Sequence, residues 1–260
     1  MKNKTYPDFV AKSGQVNTPP GSYDTVKEWI REGFIGRNSN VLEIGCTTGF
    51  ISYQINKYTN ANVTGIDLSA EAIKKARKNC EGILEIEFKR GNAKELSFQD
   101  NYFSHVIIGG HLPWVSKDER PIHVSEAIRV LKNDGFLLTC LYYFRDKPSI
   151  ELLDEFNSTF DMQLSADEDY RYWSSLFNLE NLVLENENNY KIICPNELRK
   201  KKYVARFDEK FKDEWQHKVE LFSQNGKYLN FFVKVFQKVN ESNSFTQIPR
   251  GGIYQWKKIS

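Results

Sequence analysis

The first half of the chain alternates short apolar runs with amphipathic stretches. Val41-Leu42-Glu43-Ile44 reads as a buried parallel strand, because a strand covered on both faces shows an almost continuous apolar run. It breaks at Gly45 into a turn that ends at Gly49. Residues 50–55, FISYQI, then take helical spacing. Further strands are predicted at 63–66, 86–89 and 103–108, the last ending at Gly109-Gly110, and residues 126–139 read as helix, turn and fifth strand. Ser69 is placed to cap a helix from Ala70, and Ser22, after Pro19-Pro20-Gly21, to cap an amphipathic helix over 22–34. Beyond Tyr143 the period turns helical, with helices expected at 148–160, 167–177 and 208–223. A sixth strand is expected at 182–185 and a β-rich last run at 228–236. Parallel strands joined through helices by right-handed crossovers give a doubly wound sheet.

Chemistry enters at the first turn. A strand that ends in a glycine-bearing turn and opens a helix lets backbone approach a ligand closely. The second strand ends in Asp67, whose carboxylate can accept from both hydroxyls of a ribose diol. The outer glycines here are four apart, with an acid two residues before the first, whereas the dinucleotide fingerprint sets them five apart.

These residues resemble the E/D-x-G-x-G-x-G motif of class I S-adenosylmethionine (SAM) methyltransferases. The resemblance extends to Gly91-Asn92-Ala93-Lys94-Glu95-Leu96-Ser97-Phe98, similar to that family's D-A-x-x-L-P-F loop. It extends also to residues 126–139, similar to its E-x-x-R-V-L-K-P-G-G helix, turn and strand. It implies a Rossmann-like, seven-stranded, mostly parallel sheet whose last strand is antiparallel and inserts beside the fifth, with helical lid insertions. It implies SAM as cofactor and S-adenosylhomocysteine as product. Glu43 would position the turn and reach toward the methionine amino group. Gly45 and Gly49 would admit the cofactor, Asp67 hold its ribose, and Asn92 with Ala93 edge the adenine. Cys46, Thr47, Leu68, Gly109 and Gly110 join the expected cofactor-binding set, and Tyr23 is a candidate to cover the methionine carboxylate. Two positions depart from the pattern: Thr47 replaces the central glycine and Asn92 the usual acid. Thr47 is a modest change if its φ is negative, and it narrows the cleft over the methionine part.

Composition narrows the partners. The chain has 260 residues and a net charge of +2, which gives no strong field for nucleic acid or an anionic membrane. No stretch reaches the ~18–20 apolar residues of a membrane span, and residues 1–8 lack a signal peptide's apolar core. Cys46, Cys80, Cys140 and Cys194 are scattered without a C-x-x-C pair, which fits reduced thiols, a cytoplasmic location and no metal site.

One domain is expected over 1–240, with a core at 36–143, lids at 144–180 and 188–227, and a last strand at 228–238. Residues 241–260 form a tail that keeps Ile253, Tyr254 and Trp256 and would dock on the body or form a homodimer contact. The lids would roof a small-molecule methyl acceptor and exclude water from transfer at N or O. The acceptor pocket would start at His111-Leu112-Pro113-Trp114. His111 is the candidate general base, titrating near ~6–7, and Trp114, Tyr143 and Trp173 are the candidate acceptor contacts. Two rivals stand beside this reading. One is an RNA or protein methyltransferase using the basic run Arg199-Lys200-Lys201-Lys202; the other is a non-catalytic SAM-binding protein.

Overall fold

The computed structural model describes residues 5–239. Seven strands form one sheet: β1 Asn40–Ile44, β2 Asn62–Asp67, β3 Ile86–Arg90, β4 Phe103–Ile107, β5 Leu131–Phe144, β6 Leu182–Lys191 and β7 Leu229–Lys238. Their order is β3-β2-β1-β4-β5-β7-β6, and β7 runs antiparallel to both of its neighbours. The expected sheet class, with an antiparallel last strand beside the fifth, is therefore the observed one.

Alternation along each strand divides two cores. Leu42, Val106, Leu137, Phe232 and Phe236 face one side. There they pack with Val124, Ala127 and Ile128 of α5 (Arg120–Val130). Val41, Val63, Ile107, Leu138 and Val235 face the other. Their partners are Val26 and Trp29 of α2 (Tyr23–Glu32) and Ile55 of α3 (Phe50–Thr59). A period of two sends neighbouring residues to opposite faces, so one apolar run feeds both cores. Ser69 caps α4 (Ala70–Asn79) as expected, its Oγ accepting from Ala72 N at 3.0 Å.

Several boundaries differ from the sequence reading. Ser22 does not cap α2 through its side chain: its φ is 56° and its hydroxyl makes no capping bond. An unforeseen helix, α1 (Tyr6–Ser13), precedes α2, with a proline in its first turn and Gly14 closing it at φ 76°. Strand β6 runs on to Lys191, since Asn186–Lys191 pair along β7 in spite of their polarity. Residues 188–191, assigned to the second lid, are therefore sheet edge. The later helices are α6 (Ile150–Phe160), α7 (Tyr170–Ser175), α8 (Glu197–Val204) and α9 (Glu209–Asn225), and the basic run at 199–202 lies on α8. Among the described residues no helix is long and apolar enough to cross a membrane. The tail at 241–260 lies outside the described residues.

Candidate active site

A cavity of about 670 Å³ opens at the carboxyl ends of β1, β2, β4 and β5, where ligands of doubly wound sheets sit. Its size falls in the range of small-molecule sites, ~300–1,000 Å³. The turn after β1 forms one wall. Gly45 N and Cys46 N both donate to Ile66 O, at 2.8 and 2.9 Å, which ties the turn to the end of β2. Gly45 has φ +81°, and a Cβ there would lie 2.9 Å from His111 Cβ, so glycine is needed on both counts. Asp67 is buried beside it. Its Oδ2 accepts from Thr47 N at 3.0 Å and its Oδ1 from Ser69 N at 2.9 Å. Each carboxylate oxygen keeps a lone pair for a further donor. Burial raises its pKa, against the pull of these backbone donors.

Glu43 is also buried on this wall. Its Oε2 accepts from Ser52 N at 2.9 Å and from the Ser52 hydroxyl, which anchors the first turns of α3. Burial pushes its carboxyl up to about 8, and no cation is among the causes of that shift. A ligand bringing a positive charge would meet a carboxyl prepared to ionise. SAM carries an ammonium, a sulfonium and a ribose diol, groups that buried carboxylates can pair with, so the Glu43 and Asp67 side chains on this wall fit it.

The other expected cofactor residues divide. Cys46, Thr47, Leu68, Ala93 and Gly110 line the cavity. Thr47 sits at φ +46°, the region its glycine counterpart would favour, so the condition that made it a modest change fails; Asn17 Nδ2 holds its hydroxyl at 3.2 Å. Gly49 stands off the wall, where a Cβ would meet the Phe88 ring at 2.7 Å, so its task is packing rather than admitting a ligand. Gly109 is likewise off the wall, pressed toward the Thr139 hydroxyl. Asn92 is exposed and off it too, its Oδ1 accepting from Lys94 N at 3.1 Å in a local turn. Tyr23 is 48% exposed and packs edge-on against Phe50, away from the cavity. Tyr6, Gln15, Asn17 and Pro20 line the cavity, and Tyr23 does not.

The opposite wall is aromatic. Trp114, on a short 3-10 turn at Leu112–Trp114, stacks on Tyr6 at 5.5 Å and donates to Phe160 O at 2.8 Å. Tyr143 reaches Asn189 Oδ1 through its hydroxyl at 3.2 Å. Trp173 touches the cavity but is only 1% exposed, with the Arg120 guanidinium 4.5 Å over its ring, so it belongs mainly to the core. Phe156, Phe160, Trp215 and Phe222 complete the roof, and no sequence motif marks them. Glu168 and Lys218, both buried in this wall, also escaped the sequence reading.

His111 lines the cavity but does not stand alone. Its Nε2 lies 2.9 Å from His123 Nδ1, and the two rings stack at 5.1 Å. Burial, with His123 beside it, pushes its pKa down to about 3, against the Ile44 carbonyl. A titration near 6–7 is therefore not what this environment gives. Of the basic run, Lys200 is buried and paired with Glu197 and Glu220 at 2.8 and 2.7 Å.

Residues 41–135 match a family model described as a methyltransferase domain. A phosphatidylethanolamine N-methyltransferase of Cereibacter sphaeroides is 31% identical over 152 residues, 57% of this chain and 70% of that protein. The chain belongs to the class I SAM-dependent methyltransferases. An uncharacterized protein of Haemophilus influenzae is 31% identical over 141 residues, covering 53% of this chain and 56% of its own length. The chain thus spans little more than half of that relative's length. Among solved structures, that of the MccD protein superposes with a TM-score of 0.75 at 25% identity, over 85% of this chain and all of the other. In this methyltransferase the Gly45 turn and Asp67 line the cavity at the strand ends.

Proposed function

We propose that this methyltransferase transfers the methyl group of SAM to a nitrogen or oxygen of a small molecule held under the aromatic roof. The observation that carries the reading is the continuity of the cavity. It runs from Glu43 and Asp67 at the strand ends to Tyr6, Trp114 and Phe160 under the helices. A cofactor at one end and an acceptor at the other would share one continuous space. The N-methyltransferase relative, which by its name acts on a lipid amine, is in keeping with this.

The bound sulfonium supplies an activated methyl group. The chain's own part is positioning and exclusion of water. Asp67, fixed by Thr47 N and Ser69 N, fixes the ribose end in turn. Glu43, braced by Ser52, neutralises the methionine ammonium. The tight approach of Gly45 to His111 closes the floor between the two ends. The stacked Tyr6–Trp114 pair and Phe160 keep bulk water from the transfer path.

Lys200, the buried member of the basic run, already has two carboxylate partners. Arg199, Lys201 and Lys202 remain exposed on α8, so what favours the small-molecule reading is the aromatic roof over the cavity rather than any lack of charge on α8. The test uses SAM labelled on its methyl carbon. It is incubated with the protein and either a small-molecule filtrate, or the protein and RNA fractions, of one extract. Label in the filtrate is the expected result, and label confined to protein or RNA overturns the proposal. Calorimetric titration with S-adenosylhomocysteine tests the cofactor half separately.

A further inference from the structure

Nine buried side-chain polar atoms lack a partner among the described residues; four, on Gln54, Thr139, Asn225 and Asn230, lie away from the cavity, and five belong to it. Among the described residues Gln15 Oε1, His111 Nδ1, His123 Nε2, Glu168 Oε2 and Trp215 Nε1 are buried, lack a partner, and belong to wall residues. Glu168 is the acid of this group, and burying half a carboxylate without a donor is costly unless a ligand supplies one.

Glu168 is held rigidly. Its side chain is fully buried, and its Oε1 accepts from Arg120 Nη1 at 2.8 Å and from Ser165 Oγ at 3.2 Å. Its carbonyl oxygen accepts from Phe144 N at 3.1 Å, where β5 ends. Arg120 is fully buried as well and committed elsewhere. Its Nε donates to Leu112 O and Val115 O, its Nη2 to Gln163 O, and its Nη1 also to the Tyr172 hydroxyl. The guanidinium cannot swing to serve Oε2. That oxygen therefore stands between the turn after His111 and the end of β5, on the acceptor side, three strands across from Asp67.

The charge around it selects the donor. Arg120 and Glu168 cancel, and Lys117 and Asp167 close by form their own pair at 2.8 Å. A neutral site of this kind gives a cationic ammonium little extra attraction and suits a neutral O–H. The aromatic lining on this side includes Trp114, Tyr143 and Phe144, which suits a flat ring.

We propose that Glu168 Oε2 receives the hydroxyl of a neutral phenolic acceptor and takes its proton during transfer; this rests on the methyl-transfer reading above. The phenolic oxygen gains the methyl carbon as that carbon's bond to sulfur breaks. The hydroxyl proton passes to Oε2 and later to water, and S-adenosylhomocysteine leaves with the electron pair of the broken bond.

The experiment compares 7-hydroxycoumarin with coumarin, which lacks the hydroxyl. Each is titrated into the full chain saturated with S-adenosylhomocysteine. The hydroxylated probe should bind about tenfold tighter, because a site built to receive a donor rejects the analogue lacking it. Glu168→Gln should erase that difference and leave S-adenosylhomocysteine affinity within about twofold. Arg120 fixes the amide oxygen toward itself and turns the NH₂ to the cavity, where it cannot accept. Equal binding of the two probes by the natural protein, no saturable binding of 7-hydroxycoumarin, or a Gln variant that still discriminates would each overturn the proposal. The comparison of probes in the natural protein stands even if the variant fails to fold. If S-adenosylhomocysteine itself does not bind, the methyl-transfer reading falls first.

Discussion

The two walls of the cavity are built on opposite plans. The first wall consists of strand ends and one turn, in which backbone donors from Gly45, Cys46, Thr47 and Ser69 fix Asp67 and each other within a span of 25 residues, 45–69. The roof brings together Tyr6, Trp114, Phe160 and Trp215, which are far apart in the chain and meet only through side chains. A wall of backbone bonds tolerates changes of side chain but not of φ. A wall of side chains holds only as well as its packing. Mutations should therefore act on ligand affinity at the first wall and on stability or acceptor choice at the second.

The largest effect should come from Trp173→Ala. The ring is buried under Arg120, so its removal should lower unfolding free energy by about 3–5 kcal/mol, measured by denaturant titration. A loss confined to acceptor affinity would return Trp173 to the acceptor contacts. Trp114→Ala is the counterpart on the open side of the roof and should raise the acceptor KM while cofactor affinity stays close to that of the natural protein.

Asp67→Ala comes next. On the proposed role of Asp67 it should remove two charge-assisted hydrogen bonds to a ribose, each worth roughly 1.5–3 kcal/mol when desolvated. Calorimetry should record at least a tenfold loss of S-adenosylhomocysteine affinity with the fold retained. An unchanged dissociation constant would detach the ribose from this residue.

Glu43 sharpens the contrast through protons. Its carboxyl sits at about 8 in the folded chain against an ordinary value of 4.5, so the folded state holds the proton more tightly. Through this group the ligand-free protein is most stable below the ordinary value and loses stability as pH rises from 4.5 through 8. Binding a cationic ligand at pH 7 should release close to one proton per site, read from calorimetry in buffers of differing ionisation enthalpy. Glu43→Gln should abolish the release; an undiminished release would place the titrating group elsewhere.

The smallest effect is expected at His111. With its pKa near 3, the ring is neutral throughout pH 6–8, so the rate at saturating substrate should show no histidine limb there, and His111→Gln should keep most of it. In the unfolded chain the ring titrates at its ordinary 6.5. Its contribution is thus complete above that value and is lost as pH falls toward 3, so the Gln variant should be less sensitive to acid unfolding. A rate limb between 6 and 7 that the Gln variant lacks would reinstate the general-base role.

Legibility in the sequence followed the same division. The strands, the Gly45 turn and Asp67 were readable because their signals are local: an apolar run, a glycine that must take positive φ, an acid at a strand end. Tyr23 was misplaced because the entry into α2 turns at Ser22 with φ 56°, which sends the ring to Phe50 instead of the cavity. Asn92 kept its place in the chain but spent its oxygen on Lys94 N, a choice of side-chain rotamer that no pattern encodes. Tyr6, Phe156 and Phe160 look like any amphipathic helix residues until tertiary packing faces them inward. The low pKa of His111 comes first from burial and then from His123 beside it, and no local pattern brings those two rings together.

Arg120 has a consequence for how such an enzyme could change its substrate. One fully buried side chain fastens the 112–115 turn to Gln163 and Glu168, so the backbone frame around the acceptor does not depend on the rings that fill it. Residues on the inner faces of α6 and α9, such as Phe156 and Phe222, can then be exchanged one at a time to reshape the chamber, each substitution drawing on packing alone. A scaffold pinned in this way is suited to drift among acceptors in natural lineages and to directed libraries that randomise those faces with Arg120 and Glu168 held constant.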